Sequence, residues 1–222
     1  VGRCPACGQW NTYVEQVVRK ETSSARFLPE GLGPSEEKPK PRPLSEIETR
    51  EEPRIDMNDA ELNRVLGGGL VPGSLVLLGG KSTLVLQTVM NLRRLRVLYV
   101  SGEESARQLK LRANRLRCPD QRDDATDPDC MIVCETSLEQ IFTHIQNTRP
   151  ELVVIDSIQT ISTEAAESSP GSITQVRECA AMLLKFAKTQ NVPVLLIGNI
   201  TKEGTLAGPK ILEHIVDTVL QF

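Results

Sequence analysis

Residues Leu75 to Gln87 read Leu-Val-Leu-Leu-Gly-Gly-Lys-Ser-Thr-Leu-Val-Leu-Gln, an apolar strand that runs through two glycines into Lys-Ser-Thr at a helix start. That layout suits phosphate binding. A glycine-rich turn frees backbone N–H groups to wrap phosphate oxygens, a lysine reaches the terminal phosphates, and a hydroxyl sits on magnesium. Gly79, Gly80 and Thr83 fit the turn and its exit, Lys81 the lysine and Ser82 the hydroxyl. The spacing departs from the pattern G-x-x-x-x-G-K-[ST]. No glycine stands five residues before the one that abuts Lys81, and the loop reads as about five residues too short.

On a parallel sheet a nucleotide lies beyond the carboxyl ends of the strands, so the residues after each apolar run carry the chemistry. After Val97–Val100 comes Ser101-Gly102-Glu103-Glu104-Ser105, where Glu103 can orient a water for attack on a γ-phosphate. After Leu152–Ile155 comes Asp156, placed to hold magnesium through its water shell. After Val194–Ile197 comes Gly198-Asn199, whose amide can sense the γ-phosphate. Each has a plainer reading. Asp156 alone could be a strand-end cap, and Glu103 and Glu104 could simply open a helix, where the macrodipole favours acids. The set, in this order across one sheet, reads as one nucleotide site with Glu103, Asp156 and Asn199 as its catalytic side chains.

The elements that must position these groups follow from the apolar pattern. Strands are expected at Leu75–Leu78, Val97–Val100, Met131–Val133, Leu152–Ile155, Val194–Ile197 and Ile215–Leu220. Helices are expected at Glu61–Leu66, Ser82–Arg94, Ser105–Leu116, Leu138–Thr148 and Ile173–Thr189. Strands that are apolar throughout, separated by helix-length segments, imply a mostly parallel sheet covered on both faces, hence a doubly wound α/β domain over residues 57–222. Residues 16–56 hold six prolines among many charges and read as a linker, with a small cysteine-containing unit at 1–15 before it. At 222 residues and 39% hydrophobic content the chain can bury one sizeable core plus an appendage, and its net charge of −3 excludes a general affinity for nucleic acid. No run of eighteen apolar residues is present, so no membrane partner is expected. Six irregularly spread cysteines in a chain of this size point to a reducing compartment. Val1 at the start and Phe222 directly after an apolar run read as the bounds of a fragment.

Three longer segments carry a resemblance: Gly67-Gly68-Gly69-Leu70-Val71-Pro72-Gly73-Ser74-Leu75-Val76-Leu77-Leu78-Gly79-Gly80, Tyr99-Val100-Ser101-Gly102-Glu103-Glu104-Ser105, and Val153-Val154-Ile155-Asp156-Ser157-Ile158-Gln159-Thr160. Ser169-Pro170-Gly171-Ser172, Gln175 to Cys179, Thr201-Lys202-Glu203-Gly204 and Ala207-Gly208-Pro209-Lys210 agree with them. Together they resemble the bacterial RadA (Sms) family of DNA repair proteins, RecA-like ATPases, over nearly the whole chain. The resemblance implies an ATP- and Mg2+-dependent, DNA-stimulated ATPase that aids branch migration of recombination intermediates. It also implies single-stranded or branched DNA and a RecA-type recombinase as partners, a homo-oligomeric ring, and a bacterial cytoplasmic or plastid location. Where the family has Gly-Gly-Asp-Pro-Gly-Ile-Gly-Lys-Ser-Thr, this chain passes from Gly80 straight to Lys81; Asn199 replaces the family's His and Asn63 its Asp. A degenerate, nucleotide-independent scaffold with no ATP turnover is therefore the alternative function.

Cys4-Pro5-Ala6-Cys7-Gly8 is half of a zinc ribbon, two thiolates in a tight turn. A structural zinc needs four ligands, and Cys118, Cys130, Cys134 and Cys179 are not spaced as the other half. The resemblance places that half upstream and implies Zn2+ at Cys4 and Cys7. His144 and His214 read as structural. Of the two loops that would face a ring's channel, Ser162–Thr174 carries Glu164 and Glu167 and no base, whereas the later one offers Lys202 and Lys210 for DNA. The linker reading sets a first test: limited proteolysis is expected to cut within residues 16–54 before it cuts the domain that follows. Protection of that stretch equal to the domain's would contradict the reading.

Overall fold

The computed structural model describes residues 41, 43–46, 53–80, 82–116, 129–198 and 210–221. Six strands are present among them: β1 (Leu75–Gly79), β2 (Val97–Ser101), β3 (Cys130–Cys134), β4 (Leu152–Asp156), β5 (Val194–Gly198) and β6 (Thr218–Leu220). Five helices alternate with them: α1 (Ala60–Val65), α2 (Ser82–Asn91), α3 (Ala106–Leu116), α4 (Leu138–Thr148) and α5 (Ile173–Gln190). The sheet order is β3-β2-β4-β5-β1-β6, and every pairing is parallel, where the sequence suggested a mostly parallel sheet.

Every residue of β1, β2, β4 and β5 is buried, because helices cover both faces of the central strands. Alternate residues of each strand feed two separate cores. Leu75, Leu77, Val153, Ile155, Val194 and Leu196 pack under α4 and α5. Val76, Leu78, Val97, Tyr99, Val154 and Ile197 pack under α2 and α3, with Leu62 of α1 and Leu66 just after it at the margin. The chain thus winds helices onto both sides of the sheet.

Local sequence marks the helix ends. Asp59, Ser137 and Ser172 each accept an N–H from the first turn of α1, α4 and α5, and Arg149 and Asn191 close α4 and α5 in the left-handed conformation. Two ends differ from the sequence expectation by more than one residue. α2 stops at Asn91 rather than Arg94, where the Leu92 N–H turns back to Val89 O and the Asn58 side chain donates to Asn91 O. β6 begins at Thr218 rather than Ile215, because the N–H groups of Ile215 and Val216 both close on Leu212 O and finish a short 3-10 turn, Lys210–His214. Asn63 donates to Asp56 Oδ1 at 2.7 Å and accepts the Met57 N–H at 3.0 Å. An aspartate there could not donate to Asp56.

Register aligns the carboxyl ends. Ser101 pairs with Asp156, Asp156 with Ile197, and Gly79 with Gly198, so four strand ends lie along one edge. The α4–α5 core holds that alignment, and Phe186, 1% exposed, stacks tilted on Phe142 with ring centroids 5.8 Å apart. Phe186→Ala is expected to cost about 3–5 kcal/mol of unfolding free energy, read from urea denaturation. A loss below about 1 kcal/mol would mean that this pair does not bear on the sheet.

Candidate functional site

The carboxyl edge gathers hydroxyls around one carboxylate. Asp156, 7% exposed at the end of β4, accepts from the Tyr99 hydroxyl at 2.6 Å on Oδ2 and from the Ser82 hydroxyl at 2.9 Å on Oδ1. Ser82 is the first residue of α2, so a helix start on one strand's far side meets a carboxylate on another. Burial pushes the Asp156 carboxyl above its ordinary range; the Tyr99 and Ser82 hydrogen bonds pull it down, and the negative charges of Glu103 and Glu104 add to the upward push. Burial, then the neighbouring Asp156 charge, drives the Tyr99 phenol well above its usual value, so it stays a proton donor.

Beside this pair stands Glu103. It follows β2, the strand next to β4, and its Oε1 accepts the hydroxyl of the fully buried Ser157 at 2.7 Å. The peptide bond joining Asp156 to Ser157 is cis. Gly102 lets the two segments meet: a Cβ there would fall 1.9 Å from Thr160 Oγ1, and its N–H donates to Asp156 O at 2.8 Å. Glu104 forms an ion pair with Arg112 of α3. The edge therefore presents one buried carboxylate with hydroxyl partners and one exposed carboxylate held by a serine.

The connection from β1 to α2 is only Gly80 and Lys81. Gly80 takes a φ of 61°, open to glycine, and donates its N–H to Gly198 O at 2.7 Å. That amide prolongs the β1–β5 ladder instead of facing a ligand. Two residues span at most about 7 Å, too little to encircle a phosphate group.

Of the residues singled out from sequence, the structure brings Gly79, Gly80, Ser82, Glu103 and Asp156 to one edge, with Thr83 exposed on the first turn of α2. Lys81, Asn199, Lys202, Cys4 and Cys7 lie outside the described residues, as does the side chain of Lys210. Sequence reasoning missed Tyr99 and Ser157. Tyr99 was legible as the one polar-tipped residue in an apolar strand, and Ser157 as the hydroxyl abutting Asp156. No group of three or more metal-ligating side chains occurs among the described residues. Burial pushes the Cys130 thiol up to about 11 and the Cys179 thiol to about 12, which disfavours the thiolate form that zinc needs. No described helix is long and apolar enough to cross a membrane.

A six-stranded parallel sheet with a Lys-Ser-Thr helix start and acidic strand ends defines a RecA-like α/β class of ATPase fold. Residues 41–205 match the family described as AAA domain, and the chain belongs to that family. Within it the similarity is to bacterial proteins named DNA repair protein RadA. The chain is 47% identical over 229 residues to that of Bacillus subtilis (strain 168), and 46% identical over 230 and 228 residues to those of Halalkalibacterium halodurans and Pseudomonas aeruginosa. Each match covers 100% of this chain and 48% of the relative, so the chain spans about half the length of the relatives it matches. Alignments of 228 to 230 positions against 222 residues also mean that the relatives carry residues this chain lacks.

The raised Asp156 carboxyl has a measurable sign. A buried acid that holds its proton to higher pH than in the unfolded chain favours folding below the unfolded value. That contribution is lost as pH rises through the folded value. Asp156→Asn removes the titration and keeps one acceptor oxygen. The variant is expected to gain stability relative to the parent as pH rises from the ordinary aspartate range through the raised folded value, and to level off above it. Urea unfolding across a pH series reads this; a difference independent of pH would contradict it.

Proposed function

We propose that this chain is the ATPase core of a RadA-type DNA repair protein, in which the metal and water groups are assembled and the phosphate loop is cut short. The observation that carries the reading is the Ser82–Asp156–Tyr99 cluster beside Glu103 on the neighbouring strand. Mg2+ prefers one or two protein oxygens, its own waters and substrate phosphates over an all-protein cage. Ser82 and Asp156 fit that demand, and a cation there would relieve the carboxylate's burial. Glu103, fixed by Ser157, would polarise the attacking water; Asn199 would sense the γ-phosphate and Lys81 would contact the terminal phosphates.

The residues between β1 and α2 do not fit the polyphosphate. Hydrogen bonds from loop amides to charged oxygens are each worth roughly 1.5–3 kcal/mol. Losing several weakens ATP binding by orders of magnitude, since about 1.4 kcal/mol is tenfold. The same observation favours the second reading, a scaffold that keeps the fold without ATP turnover. The names of the relatives supply DNA repair; the proposal extends to single-stranded or branched DNA, processing of recombination intermediates beside a RecA-type recombinase, and a ring of copies. Zinc at Cys4 and Cys7, the linker at 16–56 and a bacterial cytoplasmic or plastid setting belong to the same proposal.

Calorimetry with Mg2+ and ATP tests it. The unaltered chain is expected to bind weakly, and insertion of Asp-Pro-Gly-Ile-Gly between Gly80 and Lys81 to tighten binding by about tenfold or more. Micromolar affinity of the unaltered chain, abolished by Lys81→Ala, would overturn the claim that the loop is deficient. A folded insertion variant that still ignores ATP would favour the scaffold.

A further inference from the structure

The solvent side of α3 carries charge of one sign. Arg107, Lys110, Leu111, Asn114 and Arg115 follow i, i+3, i+4, i+7, i+8 spacing, share one face, and are all exposed. The helix contains no acidic residue. Arg112, on a different side, is neutralised by Glu104, whereas no carboxylate among the described residues pairs with Arg107, Lys110 or Arg115. An ordinary solvated helix intersperses both signs. The longest described helix does so: α5 sets Arg177 beside Glu178, and its Lys188 pairs with Asp217. Leu111 stands 53% exposed in the middle of the basic face, one of few large apolar side chains so placed among the described residues. In a chain of net charge −3, this face is a local inversion of the overall field.

We infer that the Arg107–Lys110–Arg115 face of α3 is a contact surface for the DNA phosphate backbone, additional to the Lys202 and Lys210 singled out from sequence; this rests on the DNA reading above. From Arg107 to Arg115 the helix rises about 12 Å. That length of duplex axis carries roughly three to four phosphates per strand, at about 3.4 Å of rise each. The face holds no aromatic side chain, so it offers no stacking platform for bases, and contact with the backbone is independent of sequence. An anionic membrane is a poorer occupant. A helix that lies in a membrane interface inserts a broad apolar side, and the apolar side of α3 is already buried through Leu109. α3 starts three residues after Glu103 and its Arg112 holds Glu104, so the helix that carries the proposed surface is anchored at the carboxyl edge.

The test measures binding of the whole chain to a fluorescein-labelled oligo(dT) strand and to a mixed-sequence duplex, by anisotropy over a salt series and without nucleotide. The triple variant Arg107→Ala, Lys110→Ala, Arg115→Ala is expected to bind at least about tenfold more weakly. Its salt slope on the single strand should fall by about 2, from three lost charges at about 0.7 each. Arg107→Lys with Arg115→Lys should bind like the parent, and Arg177→Ala with Lys185→Ala on α5 should do the same. Matching thermal unfolding of all variants excludes a folding defect. If the parent binds DNA and the triple variant binds equally well with an unchanged slope, the α3 surface is wrong while the DNA reading stands. A parent that binds no DNA, or binds anionic vesicles in its place, overturns both.

Discussion

A carboxylate held inside the protein sets the terms for the carboxyl edge of this sheet. Asp156 is almost wholly buried, and Glu103 and Glu104 oppose its ionisation from nearby. An isolated buried carboxylate is costly, and it persists only where donors satisfy it. Here the donors come from two other elements. Tyr99 reaches across from the adjacent strand, and Ser82 arrives from the start of α2. The first contact requires the β2–β4 register, because slipping a parallel strand by one residue would turn Tyr99 to the other core. The second fixes where α2 begins. Both arrangements leave the carboxylate oxygens with hydroxyl partners that a cation could replace or share.

The same economy of contacts runs from β4 into the segment that follows. Ser157 binds Glu103, Thr160 turns back on Ser157 O at 2.7 Å, and Gly102 makes room for Thr160. Beyond the turn, the buried Gln175 side chain lies within hydrogen-bonding distance of the carbonyls of Thr163, Ala166 and Ser168 and accepts the Thr163 N–H. Glu139 of α4 accepts from the Thr163 hydroxyl and from Glu164 N–H. The stretch between β4 and α5 is therefore tied down by the buried Gln175 amide and the half-buried Glu139 carboxylate. Its exposed charges, Glu164 and Glu167, are acidic, which does not suit a DNA-gripping loop.

Much of the architecture was legible because both faces of the central strands are covered, which writes them as unbroken apolar runs ended by glycine or a polar residue. The order of Gly79, Glu103 and Asp156 after such runs placed them on one edge before any coordinates. Other features depended on tertiary contacts with no local pattern. The end of α2 is set by Asn58, thirty-three residues earlier in the chain, and the start of β6 by a turn that closes on Leu212. Tyr99 was the one polar-tipped residue inside its apolar run, but nothing in the sequence said that its hydroxyl would meet Asp156. The basic face of α3 was present in the spacing of its arginines, yet only burial of Leu109 on the opposite side shows which way that face points.

The two halves of the site rest on different kinds of constraint, and that explains how one can persist without the other. The carboxylates and Tyr99 are positioned by strand register, through five pairs between β2 and β4 and four between β4 and β5. α2 is seated independently, by Val85, Leu86 and Val89 in the core beneath it. Shortening the link between β1 and α2 disturbs neither set of contacts, provided two residues can bridge the gap, and Gly80 at positive φ allows that turn. A phosphate cradle has no such support, since it consists of loop amides and vanishes with the loop. In this chain the Gly80 amide extends the β1–β5 ladder through Gly198. Restoring length would have to free that amide as well as add new ones, so the lengthened loop must compete with one existing backbone hydrogen bond, worth about 0.5–1.5 kcal/mol. That cost is small beside the several charge-assisted bonds a closed loop would form, so on the function proposed above loop length, not the fold, would limit how tightly nucleotide is held.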